Sequence, residues 1–198
     1  MTFYLLGTGA AVSVSHRTTT MFVVEEADRL ILVDCGGDAF QRMLAVGLDP
    51  SKLDAVILTH EHPDHISGYP LLIEKLWLYG RRRPIPVHGP AQTLGVARTL
   101  FQAFSTDRWD GLPNREYHDV TLESGSHVLE TEHLTITATP VDHPVPTIGL
   151  RFEKSAREVL AYSCDTAKSP SVVELARDAD VLIHEALSLI HISEPTRL

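Results

Sequence analysis

The apolar run Ala55-Val56-Ile57-Leu58 leads directly into Thr59-His60-Glu61-His62-Pro63-Asp64-His65. A short continuous apolar run is the mark of a strand buried on both faces, which demands packed layers on either side of it. In an extended loop leaving such a strand, alternate side chains share a side, so His60 and His62 can face one metal ion. Pro63 resists helix continuation, and Asp64 with His65 can turn towards a second metal beside the first. Imidazole and carboxylate are the ligands that divalent zinc, iron or manganese accept. With 11 His and 13 Asp among 198 residues, His-x-His-x-Asp-His arises by accident in roughly one such chain in 500. A polar loop of unrelated histidines is therefore a poor account of it.

The length suits one domain and is enough to bury a sizeable core. A hydrophobic fraction of 43% excludes a disordered polyelectrolyte, and no run of 18 apolar residues offers a membrane span. Nothing at the start reads as an export signal. Cys35 and Cys164 make no disulfide framework and fit a reducing cytosol, so a cytoplasmic protein is expected. The net charge of −9 argues against a surface that holds nucleic acid throughout by phosphate neutralisation. A local basic patch or a bound cation could still attract an anionic substrate.

Along the chain, Phe3 to Leu6 reads as a strand before a Gly7-Thr8-Gly9 turn, and Met21 to Glu25 with Leu30 to Val33 reads as a hairpin. Phe40, Met43 and Leu44 recur at helical spacing, closed by Gly47 and Pro50. Leu72, Ile73, Leu76 and Trp77 form a second helical stripe. A strand near Ile85 to Val87 and a helix from about Ala91 to Phe104 follow. Further strands are expected at Val120 to Leu122, Leu134 to Thr139, Ile148 to Phe152, Val159 to Tyr162 and Val181 to Ile183, with a helix near Val172 to Ala176. Strands mixed with helices, without strict βαβ repetition, predict a layered mixed α/β fold. The last twelve residues, Leu187 to Leu198, look like an in-frame translation of a transposase adapter used in DNA library preparation. The natural sequence is then expected to run to Ala186, with the domain spanning 1–186 and its C-terminal part missing.

The segment His60-Glu61-His62-Pro63-Asp64-His65 resembles the signature of the metallo-β-lactamase-fold hydrolases. Phe3 to Gly9 and Leu32-Val33-Asp34 resemble that family's opening strand, glycine turn and first-motif aspartate. Val141-Asp142-His143-Pro144 through Arg151 resembles the third-motif histidine segment of the ribonuclease Z-like branch. Tyr162-Ser163-Cys164-Asp165-Thr166 is similar to its Ser-Gly-Asp-Thr, with Cys164 in the glycine's place, and Leu182-Ile183-His184-Glu185-Ala186 to its His-Glu-Ala-Thr. The fold implied is a four-layer αβ/βα sandwich.

Carried over by position, the resemblance implies that His60, His62 and His143 hold one metal. Asp64 and His65 hold the other, and Asp165 bridges the two. Asp34 orients the ligand loop rather than ligating, and a further family histidine on the second metal has no match here. The cofactor implied is a pair of zinc ions per complete chain, with Mn2+ or Fe2+ as substitutes. A metal pair about 3.5–4 Å apart supplies hydroxide near neutral pH. Asp64 is then the general base, and Glu185 helps protonate the leaving oxygen. His184 is expected to be structural. The implied reaction is phosphodiester cleavage of RNA or of a small anionic substrate, by a protein with no membrane role that could form a homodimer. The branch usually carries a long tRNA-binding arm between the third-motif histidine and the bridging aspartate. Only 21 residues, positions 144 to 164, separate His143 from Asp165 here. A smaller phosphodiester, or a non-phosphate ester, lactone or sulfate ester, stays open as substrate, as does an inactive metal-stabilised binding module.

Other features weigh less. Gly7-Thr8-Gly9-Ala10-Ala11-Val12 is half of a dinucleotide fingerprint without the following helix. Arg81-Arg82-Arg83 could grip a phosphate backbone, though a basic run ahead of Pro84 reads as a solvated loop. His16, His88, His118, His127 and His133 lack ligand spacing and read as surface or strand residues, with His16 and His88 the two that could line a pocket.

Overall fold

The computed structural model describes residues 1–12, 14–154 and 158–185. The tail expected from Leu187 to Leu198 lies outside the described residues. The chain divides into two compact units, Met1–Leu122 and Glu123–Leu198.

The first unit is a six-stranded sheet of β1 (Thr2–Gly7), β2 (Met21–Glu26), β3 (Arg29–Val33), β4 (Leu53–Ile57), β5 (Ile85–Gly89) and β6 (Arg115–Asp119), in that spatial order. Strands β1 to β3 are antiparallel, and β3 to β6 run parallel. The β2–β3 hairpin turns through Ala27 and Asp28, both left-handed at φ 49° and 64°. Two positive φ values at the turn match its twist to that of the strands. The parallel strands are joined through α1 (Ala39–Ala45), then α2 (Pro63–Ile66) with α3 (Tyr69–Leu78), then α4 (Ala91–Gln102). These crossovers are more regular than the apolar pattern suggested, because the polar histidine segment interrupts the helical stripe between β4 and β5.

One face of this sheet, with Leu32, Val56, Leu58 and Val87, packs on Met43, Leu72, Leu76 and Leu94 of the helices. On the opposite face Phe22, Val24, Ile31, Val33 and Ile57 are buried as well. Burial of both faces is what the uninterrupted apolar run at Ala55 to Leu58 required.

The second unit is a five-stranded sheet in the order β11 (Val181–Ile183), β10 (Glu158–Tyr162), β9 (Ile148–Lys154), β8 (Leu134–Pro140) and β7 (Ser126–Glu130). Strands β7 to β10 are antiparallel, while β11 runs parallel to β10 after α5 (Pro170–Leu175). The strand expected at Val120 to Leu122 is absent, and β6 and β7 stand on either side of that segment. Both are edge strands with polar sequences, Arg-Glu-Tyr-His-Asp and Ser-His-Val-Leu-Glu, held by backbone pairing rather than by an apolar pattern. The protein is a mixed α/β fold with two sheets. Among the described residues no helix is long and apolar enough to cross a membrane.

Candidate metal centre

Two strand ends of the first unit meet at a buried carboxylate. Asp34 follows β3 with a left-handed φ of 57°, and its N–H donates to the Ile57 carbonyl of β4 at 2.9 Å. That conformation aims its side chain at the segment leaving β4. The Thr59 N–H donates to Asp34 Oδ1 at 2.8 Å, and the Thr59 hydroxyl donates to Oδ2 at 2.8 Å. His65 Nδ1 lies 2.8 Å from the same Oδ2. A carboxylate only accepts, so Nδ1 of His65 must carry the proton and Nε2 the lone pair. The same logic passes through Thr59. Its hydrogen is committed to Asp34, so its oxygen accepts from His60 Nδ1 at 3.2 Å, leaving His60 Nε2 with its lone pair. One buried carboxylate thus sets the tautomer of two imidazoles, the arrangement that metal-ligating histidines require.

The ligand-bearing backbone is held just as closely. His62 is extended at φ −65° and ψ 146°, and Pro63 is the first residue of α2. Pro63 resists the continuation of a preceding helix, as expected, and here it opens one. At the first helical position its missing N–H costs nothing and its ring presets φ, so it starts the turn. The single turn carries Asp64 and His65, and Asp64 Oδ2 lies 3.6 Å from His65 Nε2. Cys35 N–H donates to the His65 carbonyl at 2.8 Å, and Gly68 N–H to the Cys35 carbonyl at 2.7 Å. A Cβ at Gly36 would stand 1.6 Å from the Asp64 carbonyl oxygen, so only glycine permits this approach. The His60 ring centroid lies 4.8 Å from that of His62 and 4.1 Å from that of His65. His60 and His65 are buried, whereas His62 and Asp64 are half-buried. The neighbouring Cys35 thiol is inert: burial, with the charge of Asp34, pushes its pKa well up.

In the second unit, half-buried His143 lies in the loop between β8 and β9, and half-buried Asp165 in the loop after β10. Ala167 N–H donates to the Asp142 carbonyl at 2.7 Å, tying these loops together. Cys164 takes φ 56°, the left-handed conformation that glycine favours, and is fully buried. His184 Nδ1 lies 2.7 Å from Ser163 Oγ, and Ser163 N–H donates to the Ile183 carbonyl at 3.0 Å. Half-buried Glu185 follows directly.

The basic run is neither solvated nor a phosphate grip at its first residue. The buried Arg81 guanidinium donates to the carbonyls of Leu53, Arg83 (3.0 Å) and Pro84 (2.6 Å), and burial pulls its pKa down to about 10. Arg83 pairs with Asp54 at 2.6 Å. His16, His127 and His133 are exposed. Two interactions were not legible in the sequence. The Thr59 hydroxyl bridges carboxylate and imidazole, which its place before His60 hints at but does not establish. His88 and His118 stack with ring centroids 4.8 Å apart, a pairing created by strand register that no spacing encodes.

The donor set suits a divalent metal, with imidazole nitrogens of fixed tautomer beside carboxylate oxygen. Comparison with known proteins agrees. The family model for the beta-lactamase superfamily domain matches residues 29–192. A ribonuclease Z of Mycobacterium marinum is 34% identical over 198 residues, covering 92% of this chain and 69% of that protein. Among solved structures, human tRNase Z, short form, aligns with a TM-score of 0.80 at 22% identity, covering 94% of this chain and 78% of the other. A diphosphatase from the PhnP family aligns with a TM-score of 0.69 at 23% identity, covering 91% and 72%. With its two sheets and its histidine–aspartate segment at the end of β4, the chain belongs to the beta-lactamase superfamily, in the ribonuclease Z-like branch.

Proposed function

We propose that this chain is a zinc-dependent phosphodiesterase related to ribonuclease Z, acting on RNA or on a small phosphodiester. The observation that carries the reading is the Asp34 carboxylate, which leaves a lone pair on Nε2 of both His60 and His65. His60, His62 and His143 would hold one cation, Asp64 and His65 a second, and Asp165 both. Two divalent cations, when bound, activate water near neutral pH and neutralise charge that grows on a phosphoryl oxygen. Asp64 takes the proton of the attacking water at its carboxylate oxygen, and Glu185 helps deliver one to the leaving oxygen. Asp34 and Thr59 keep the imidazoles oriented throughout. A relative named ribonuclease Z at 34% identity and a fold neighbour described as a diphosphatase both favour phosphate esters over lactones.

The test is a metal-dependent assay with bis-p-nitrophenyl phosphate, run beside lactone and sulfate ester substrates. The diester is the expected substrate, and hydrolysis of the lactone alone would overturn the phosphodiester reading. His62→Ala and Asp165→Ala are expected to lower bound zinc and activity together. Full zinc loading in both variants would remove these residues from the site.

A further inference from the structure

The stacked pair His88 and His118 takes no part in the chemistry above. Strand register makes it the end of a continuous row: Phe22 pairs with Val33, Val33 with Ile57, Ile57 with His88, and His88 with His118. The row is apolar on β2, β3 and β4 and imidazole on β5 and β6. It lies at the C-terminal end of the parallel strands, the edge where open α/β sheets bind ligands. The same edge bears the histidine segment. Leu58 N–H donates to the His88 carbonyl at 2.8 Å, and Gln92 Nε2 donates to Glu61 Oε1 at 2.9 Å.

The two rings lie 4.8 Å apart between centroids, with planes inclined by 20°. His88 is only 6% exposed, while His118 is open to solvent on the last strand of the sheet. The inner ring is thus a fixed backing, and the outer ring offers an accessible flat face. Exposed Glu116, two residues earlier on the same strand face, puts negative charge on that face, which disfavours a second phosphate. An uncharged flat ring meets no such penalty.

We propose that His118, backed by His88, is a stacking platform for a nucleobase of the substrate. The proposal rests on the phosphodiesterase reading and narrows it to substrates that carry bases. Stacking on an aromatic face tolerates any base and strengthens binding by about tenfold per contact. His118 acts here as a positioning residue, since it touches the base and not the reacting phosphate.

The probes are adenosine 5′-monophosphate and ribose 5-phosphate, titrated calorimetrically into the zinc-loaded chain. They share sugar and phosphate and differ only in the base. His118→Ala is expected to weaken the nucleotide about tenfold and leave ribose 5-phosphate unchanged, which also reports that the variant is folded. His118→Phe, which keeps a flat ring without a nitrogen, is expected to restore nucleotide affinity. Equal losses for both probes would show that the pair grips phosphate and overturn the platform, and a failure of phenylalanine to restore nucleotide affinity would overturn it as well. So would a wild-type chain that does not prefer the nucleotide. A chain that hydrolyses no phosphodiester yet shows the expected pattern would remove the functional reading and keep the platform.

Discussion

Asp34 is where a single atom type decides most. Its Oδ2 accepts from Thr59 Oγ1 and His65 Nδ1, and its Oδ1 from the Thr59 N–H, all within a buried site. Asp34→Asn separates this network from backbone strain, because asparagine tolerates the left-handed φ of 57°. An amide keeps one accepting oxygen and turns an NH2 group on either Thr59 or His65. Facing His65, it forces the proton onto Nε2 and removes a donor. The expected outcome is a stability loss of about 2 kcal/mol in a urea melt. Zinc affinity, by chelator competition, is expected to fall about 10- to 100-fold. Unchanged zinc affinity would show that the carboxylate does not set the tautomers. The residue types His60, His62, Asp64 and His65 were legible from spacing alone. The hydroxyl relay through Thr59 was not, because it needs β3 and β4 side by side.

At the scale of elements, α2 is a single turn too short to be stable by itself. It persists because its backbone is tied to the chain after β3, through Cys35 with His65 and Cys35 with Gly68. Gly36→Ala would push a methyl group to 1.6 Å from the Asp64 carbonyl, and backbone cannot rotate away as a side chain can. Thermal denaturation should show a loss of about 3 kcal/mol, with bound zinc falling in parallel. A stable, fully zinc-loaded variant would mean that α2 can shift without harm to the ligands. The helices with apolar stripes and the strands with apolar runs were readable in sequence, from α1 and α4 to β8 and β9. Edge strands β6 and β7 were not, since pairing with a neighbour, not patterning, makes them strands.

For the whole molecule, β9 and β10 account for most of the 21 residues between His143 and Asp165, a length too short for strands and a tRNA-binding arm together. The Arg81 to Arg83 run offers little instead, with Arg81 spent on backbone carbonyls and Arg83 on Asp54. Precursor tRNA should therefore gain little over a small substrate. Specificity constants for precursor tRNA and for a small phosphodiester are expected to agree within about tenfold, or about 1.4 kcal/mol. A preference of several orders of magnitude for precursor tRNA, measured as kcat/KM, would reveal a binding surface elsewhere on the chain.

The sequence by itself determined a local metal-ligand pattern, because ligand chemistry confines histidine and aspartate to a tight spacing, and hydrophobic runs announced doubly buried strands. Its resemblance to the family, carried by several motifs in order, implied that Asp34 orients the ligand loop. Tertiary structure alone decided which hydrogen bonds that carboxylate makes, that Pro63 opens a helix, that Arg81 faces inward, and that His88 meets His118. Each of these depends on strands or loops far apart in sequence and adjacent in space, and no local pattern records a cross-strand register.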